Sequence, residues 1–469
     1  MFSYKKLLSD TFLMFLGTFS SKALVFLLLP VYTYLLTTEE YGVVDLFTTT
    51  ILFLFPILTL SISDATFRFA FDKDVNQNSN LSFSICIILV SIIFILPILF
   101  ILGYWNSYFL KFKYLFILLY FSVCLQTCLS NYSRGCDKVA VFVKSGLLYS
   151  ISLIVFNFIF LYLYSFGING YISSLILANF VSIIYISFKL KLLKIKFKID
   201  YNLAKDMLKF STPIIFSTVS WMGISSCSKF YIVDIFGVNE SGLYAVAQKI
   251  PTILSVMGMI FLQAWQISAI QAYTSEDKNE FYSTVYEAYS FILFFSAGIL
   301  IFLTKPIASI LFLKEYYSAF IFSPILILSG VFACLSLFLQ SPFVAAKKNR
   351  MLLYSSGAGF IVCILVTPIL MYILGTIGAA YGALFAFVVT WFIRGIASKS
   401  IVNIDINFFK SFLSLILLLI SSYFITEEKE YDYLVSLIVI IILVFLNYKI
   451  IYKILFLFLQ KCIDFKYKR

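Results

Sequence analysis

Long apolar runs separated by short polar breaks recur along the whole chain, each near the roughly 20 residues that a helix needs to cross a bilayer core. In the first half they fall near 9–36, 41–67, 80–104, 112–131, 144–166 and 168–188. The second half repeats the series near 207–236, 241–270, 281–303, 317–343, 351–374 and 377–398, followed by two more runs near 406–425 and 431–459. The pattern predicts an all-α polytopic membrane protein of about fourteen transmembrane helices. Its expected parts are an N-terminal six-helix lobe over 1–188, a basic cytoplasmic linker over 189–206, a C-terminal six-helix lobe over 207–400, and two additional transmembrane helices with a basic tail over 401–469. The first run is too long for a signal-peptide core and has no small-residue cleavage site before Lys22, so it is read as a retained helix.

The two lobes read as copies of one another. Leu8, Thr18, Ser20, Glu40, Gly42 and Leu54 recur, about 200 residues later, as Leu208, Thr218, Ser220, Glu240, Gly242 and Leu254. Gly167-Ile-Asn-Gly170 and Gly375-Thr-Ile-Gly378 mark the expected turn between the fifth and sixth helices of each copy. An even number of spans per copy keeps both in the same orientation, related by an axis along the membrane normal, and a substrate path is expected between the lobes. A duplicated bundle of this kind points to a transporter.

Composition rules out a soluble core. With 62% hydrophobic residues, 12% charged and a mean hydropathy of +0.99, the chain has the bilayer as its solvent. Most of its lysines and arginines gather on one side of the predicted spans: Arg68, Lys73, Arg134, Lys138 and Lys144, the lysines from 189 to 209, and Lys347, Lys348, Arg350, Arg394 and the tail. The positive-inside rule makes that side and both termini cytoplasmic, in a multi-pass protein. The net charge of +12 is thereby accounted for by membrane lipids, and no nucleic acid is needed. Histidine is absent and the eight cysteines form no CxxC pair, so neither a metal, a cofactor nor a disulfide is expected. Short outer loops and the lack of a G-x-S-x-G motif or phosphate-binding glycine loop argue against an enzyme.

Charges placed inside apolar helices carry the functional clues, since each is expensive there unless a polar cavity or a partner receives it. Lys22 lies deep in the first run, where it lines a hydrated cavity, joins a structural pair or snorkels. Lys229 and Lys249 flank the hairpin at Gly242 and could attract a diphosphate, while Asp234 is an alternative local partner for Lys229. Asp64 and Arg68, at i,i+4, are read as a gating pair or a static interfacial pair. Glu287 is a candidate for ion coupling or for simple interfacial exposure. Gln263 and Trp265 combine amide and indole groups suited to a sugar, though indoles also collect at membrane interfaces.

The segment Leu29-Pro-Val-Tyr-Thr-Tyr-Leu-Leu-Thr-Thr-Glu39-Glu40-Tyr41-Gly42, with Gly242-Leu-Tyr-Ala-Val-Ala-Gln-Lys249-Ile and Gln263-Ala-Trp265, resembles Wzx-type polysaccharide flippases. These belong to the multidrug/oligosaccharidyl-lipid/polysaccharide (MOP) exporter superfamily, and the resemblance covers essentially the whole chain. It implies a MOP/MATE-like fold in the bacterial inner membrane and translocation of undecaprenyl-pyrophosphate-linked O-antigen or capsule repeat units by alternating access. Other polysaccharide-assembly membrane proteins are the implied partners. Lys22, Arg68, Lys229 and Lys249 match the basic positions of the implied cavity, with lysine where an arginine-rich cavity would be expected. The alternatives are a multidrug (MATE-like) exporter using acidic residues such as Asp45 and Asp64, and an integral-membrane polysaccharide polymerase.

Overall fold

The computed structural model describes residues 17, 19–72, 75–192, 197–273, 275–346, 348, 350–450 and 452. Expectations resting on Lys5, Lys6, Leu8, Thr18, Lys73, Lys194, Lys196, Lys347 and the tail after residue 452, the position of both termini included, lie outside the described residues. The structure is 87% helical, with no strand among the described residues. In a bilayer, helices satisfy every backbone donor and acceptor within the segment, which is why so apolar a chain adopts them.

The helices of the first half are α1 (Phe19–Leu35), α2 (Thr38–Leu58), α3 (Ile62–Ala70), α4 (Gln77–Trp105), α5 (Lys113–Gly135), α6 (Val139–Asn157) and α7 (Gly167–Lys189). Then follow α8 (Tyr201–Ile235), α9 (Val238–Ala247), α10 (Lys249–Ala272), α11 (Lys278–Phe302), α12 (Thr304–Leu311), α13 (Ser323–Phe338), α14 (Arg350–Leu374), α15 (Gly378–Ser398), α16 (Phe408–Thr426) and α17 (Asp432–Leu446). By length and composition, nine described segments are able to cross a membrane, or ten if α9 and the first part of α10, bent by 41°, make one span. The figure of fourteen is not confirmed by this criterion. It takes Arg350–Ser398 as one segment, and it sets α17 and Phe19–Leu35 apart as shorter apolar helices.

The turns sit where the glycines foretold them. Gly375, at φ +70°, opens the bend between α14 and α15, and Gly167, at φ +52°, begins α7. Past the bend α14 and α15 run tightly together: a Cβ on Gly382 would strike the Thr367 side chain, so only glycine permits the approach.

Two compact units make up the chain, Met1–Ala245 with Leu313–Tyr316, and Val246–Phe312 with Tyr317–Arg469. This division differs from the sequence-based lobes, which part at 189–206. The physical reason is that α8 packs along α2 and α3, so its side chains complete the first unit's core although its sequence belongs to the second copy. In the first unit α5, α7 and α3 surround a core containing Phe47, Phe109, Phe116, Tyr120 and Ile176, all 3% exposed or less. In the second unit α13 is buried along nearly its whole length, against α10, α11 and α15.

Candidate functional site

The first unit holds a charged group where the helices meet. Asp45 and Thr49 lie one turn apart on α2, and Lys229 projects from α8. The Lys229 Nζ donates to Asp45 Oδ2 at 2.7 Å and Oδ1 at 3.0 Å, and to Thr49 Oγ1 at 3.3 Å. The side chains of Lys229 and Asp45 are only 10% and 11% exposed. A buried ammonium needs this kind of saturation, because an unpaired charge at such depth is strongly destabilising. Asp234, the local alternative, instead accepts from Trp105 Nε1 at 3.0 Å.

One turn before Asp45, α2 presents Tyr41 to a tyrosine cluster. Tyr32 and Tyr171 stack with ring centroids 4.4 Å apart, Tyr41 lies 6.1 Å from Tyr32 and 6.2 Å from Tyr171, and Asn157 Nδ2 donates to the Tyr32 hydroxyl at 2.8 Å. The lysine–carboxylate pair is thus continuous with aromatic and hydroxyl groups, the mixture that polar ring compounds stack on and bond to.

The start of α2 is fixed by reciprocal bonds: Glu40 N donates to Thr37 Oγ1 at 3.2 Å and Thr37 N to Glu40 Oε2 at 2.9 Å, a capping box. Against it lies the start of α9. A Cβ on Gly42 would strike the Val238 carbonyl oxygen, and one on Gly242 would strike the Thr38 carbonyl oxygen. Because Thr38 and Gly42 correspond to Val238 and Gly242 in the repeat, the contact is reciprocal, as two-fold-related surfaces require. The repeat glycines therefore have a physical role, letting the two hairpins touch backbone to backbone. Tyr316 adds a further tie, its hydroxyl donating to the Thr37 carbonyl at 2.7 Å.

Other sequence candidates fall elsewhere. Lys22 is exposed on α1, beside Ser21, whose carbonyl accepts from Ser150 Oγ of α6 at 3.3 Å. Asp64 and Arg68 are exposed on α3 and do not pair: Arg68 bonds Asp72 at 2.8 Å, one turn later, and Asp64 has Arg134 of α5 as its electrostatic neighbour. The four-residue spacing allowed both partners for Arg68, and Asp72, just past the end of α3, takes the bond.

In the second unit, Lys249 is partly exposed at the first position of α10, at the bend and not deep within a helix. Gln263 lies on α10, and its side chain is outside the described set. Trp265 is 4% exposed, donates Nε1–H to Ser341 Oγ at 2.9 Å and stacks on Phe338 at 4.8 Å, so in this conformation its N–H and ring belong to an aromatic core. Glu287 accepts from Lys410 at 3.1 Å. Sequence reasoning counted Arg394 among the cytoplasmic-side cations and did not anticipate its burial. It is 2% exposed on α15, donating to Ser355 Oγ, Ser356 Oγ and the Ser336 carbonyl at 2.9–3.0 Å. The adjacent serines at the start of α14 were the available signal. Tyr32 and Tyr171 were missed because isolated tyrosines in apolar helices have no local signature.

A family model for polysaccharide biosynthesis proteins matches residues 7–266, more than half of the chain. No curated protein matches it by sequence. Solved structures of similar fold include a lipid II flippase MurJ in an inward closed conformation, 16% identical with a TM-score of 0.68 over 95% of this chain and 100% of that one. A multidrug resistance MATE family transporter of the MOP superfamily is also similar. Its inward-facing form is 18% identical with a TM-score of 0.68 over 81% of this chain and 95% of that one. Its outward-facing form is 19% identical with a TM-score of 0.61, over 84% and 95%. At these identities the likeness is one of fold.

Proposed function

The chain belongs to the polysaccharide biosynthesis protein family, and on that premise we propose that it is a flippase for undecaprenyl-pyrophosphate-linked O-antigen or capsule repeat units. It works in the bacterial inner membrane by alternating access, with both termini cytoplasmic. The observation that supports this most is the buried Lys229 ammonium, held by the Asp45 carboxylate near a tyrosine cluster. A diphosphate carries more negative charge than the single Asp45 carboxylate and competes for the same cation. If it binds Lys229 more tightly in one conformation, the exchange shifts the conformational equilibrium, which is what transport requires. Lys22 and Lys249 are proposed as further anion-binding cations, Gln263 and Trp265 as sugar contacts once the stack opens, Asp64 and Arg68 as gating charges, and Glu287 as a coupling group. Other polysaccharide-assembly membrane proteins are the proposed partners, and the role is that of a transporter and not an enzyme.

A multidrug exporter reading has one observation in its favour, the buried Asp45 carboxylate, but that charge is already matched by Lys229 and offers little to a cationic drug. Reconstituted vesicles containing a labelled polyprenyl-diphosphate glycan separate the two. The flippase moves the glycan lipid between leaflets, and Lys229→Gln slows that movement at least tenfold. A protein that exports organic cations and leaves the glycan lipid in place would show the proposal to be wrong.

A further inference from the structure

The lysine-rich segment after α7 is not used by the proposed transport reaction. Its sequence holds seven lysines and two aspartates between residues 189 and 209. α7 ends at Lys189, the chain passes through Lys191 at φ +53°, and the extended residues from Phe197 lead to Asp200, whose side chain caps α8. This approach is stitched to the first turns of α4. The N–H of Asp200 donates to Ser79 Oγ at 2.7 Å, and that of Lys198 to Ser82 Oγ at 3.3 Å.

Beneath these bonds lies an apolar groove of ≈ 260 Å³, bounded by Ile85, Leu89, Leu125, Ile183, Leu192 and Phe197. Its walls come from α4, α5, α7 and the linker, all in the first unit. Lys189, Lys191 and Lys198 are exposed beside it, and the nearest acid of the linker, Asp200, has its carboxylate engaged by the N–H groups of Asn202 and Leu203. Phe197 is 67% exposed and directly precedes Lys198, which is exposed as well.

An apolar slot with a cationic rim fits an amphiphile with one hydrocarbon chain to insert and an anionic head to pair. We propose that the groove is a binding site for an anionic membrane phospholipid, its acyl chain among Ile85, Leu125 and Ile183 and its phosphate on Lys189, Lys191 and Lys198. Two serines, Ser82 and Ser187, are the polar residues of its wall, too few to hold a glycan, so a bilayer phospholipid is the occupant and not the transported lipid. The site is independent of the transport reading and rests on the charge complementarity of rim and headgroup. It anchors the linker to α4 and α7 where the chain passes from one sequence repeat to the next.

The test uses the full-length protein in nanodiscs, with phosphatidylglycerol bearing a photoreactive group near the end of one acyl chain, and peptide mapping of the adducts. Adducts are expected on α4, α5 and α7 around the groove. They should fall at least fivefold with the phosphatidylcholine analogue, in Lys189→Gln/Lys191→Gln/Lys198→Gln, and in the wild type at high salt, which needs no variant to fold. Equal labelling by the two lipids would reduce the groove to ordinary lipid-facing surface and overturn the proposal. So would no labelling there at all, as when the chain's own side chains fill the slot, or displacement by a polyprenyl diphosphate at equimolar concentration.

Discussion

The two copies of the repeat treat equivalent positions differently. In the first unit α2 carries Asp45 and α8 carries Lys229, joined as a buried ion pair. The positions related to them by the repeat, Ala245 on α9 and Leu29 on α1, are apolar and also buried, at 1% and 2% exposure. Thr49, which shares the Lys229 ammonium, corresponds to Lys249. The positions that form the ion pair in one copy are therefore apolar in the other. Helix packing alone does not demand the pair, because buried ion pairs seldom outperform well-packed apolar residues. The proposed function gives the pair a role that packing does not: to keep a buried cation balanced until something more strongly anionic arrives.

Breaking the pair from one side should have the largest effect on stability. Asp45→Leu leaves Lys229 uncompensated and should cost about 3–5 kcal/mol, as should Lys229→Met in the reverse sense. Thermal unfolding in detergent, followed by tryptophan fluorescence, measures both. The double variant should recover most of the loss, because it removes both buried charges together and leaves apolar side chains in their place.

A second effect, of roughly 1–3 kcal/mol, is expected from Gly242→Ala, which drives a methyl into the Thr38 carbonyl across the hairpin contact. Gly357→Ala, where a Cβ meets open space, should be neutral or slightly stabilising in the same assay. Equal responses would mean that the hairpins are not in tight contact.

Arg394 sharpens the comparison from the second unit. Its guanidinium spans Ser336, Ser355 and Ser356, three bonds fixed by a planar fork. Arg394→Lys keeps the charge but cannot reproduce that geometry, and a loss of about 1–3 kcal/mol is expected with little change in transport per folded molecule. A transport defect without a stability defect would move Arg394 from scaffold to mechanism. The smallest effect belongs to Lys410 and Glu287, whose side chains are 23% and 46% exposed; Lys410→Gln should change stability by less than about 1 kcal/mol.

The sequence made some of this legible and hid the rest for identifiable reasons. Apolar run lengths identified the helices, and the glycine pairs marked turns that the backbone confirms at Gly167 and Gly375. Lys229 stood out because an ammonium in an apolar helix is costly. Its partner did not, because Asp45 is on α2, far away in sequence, and only the packing of α8 along α2 joins them. Local spacing suggested Asp64 for Arg68, yet Asp72 satisfies the same rule and takes the bond. Trp265 carried the composition of a sugar platform, whereas its burial depends on Phe338 and Ser341, from other segments. Periodicity reports which residues are apolar; it does not report which helices become neighbours.

The central claim, that the Lys229–Asp45 pair serves transport and not folding, is tested most directly in the Asp45→Leu/Lys229→Met double variant. Labelled polyprenyl-diphosphate glycan is measured in both leaflets of vesicles holding equal amounts of folded protein. The account predicts an unfolding temperature close to wild type and a translocation rate at least tenfold lower. Wild-type translocation by the double variant would contradict it and leave the pair a dispensable feature of helix packing.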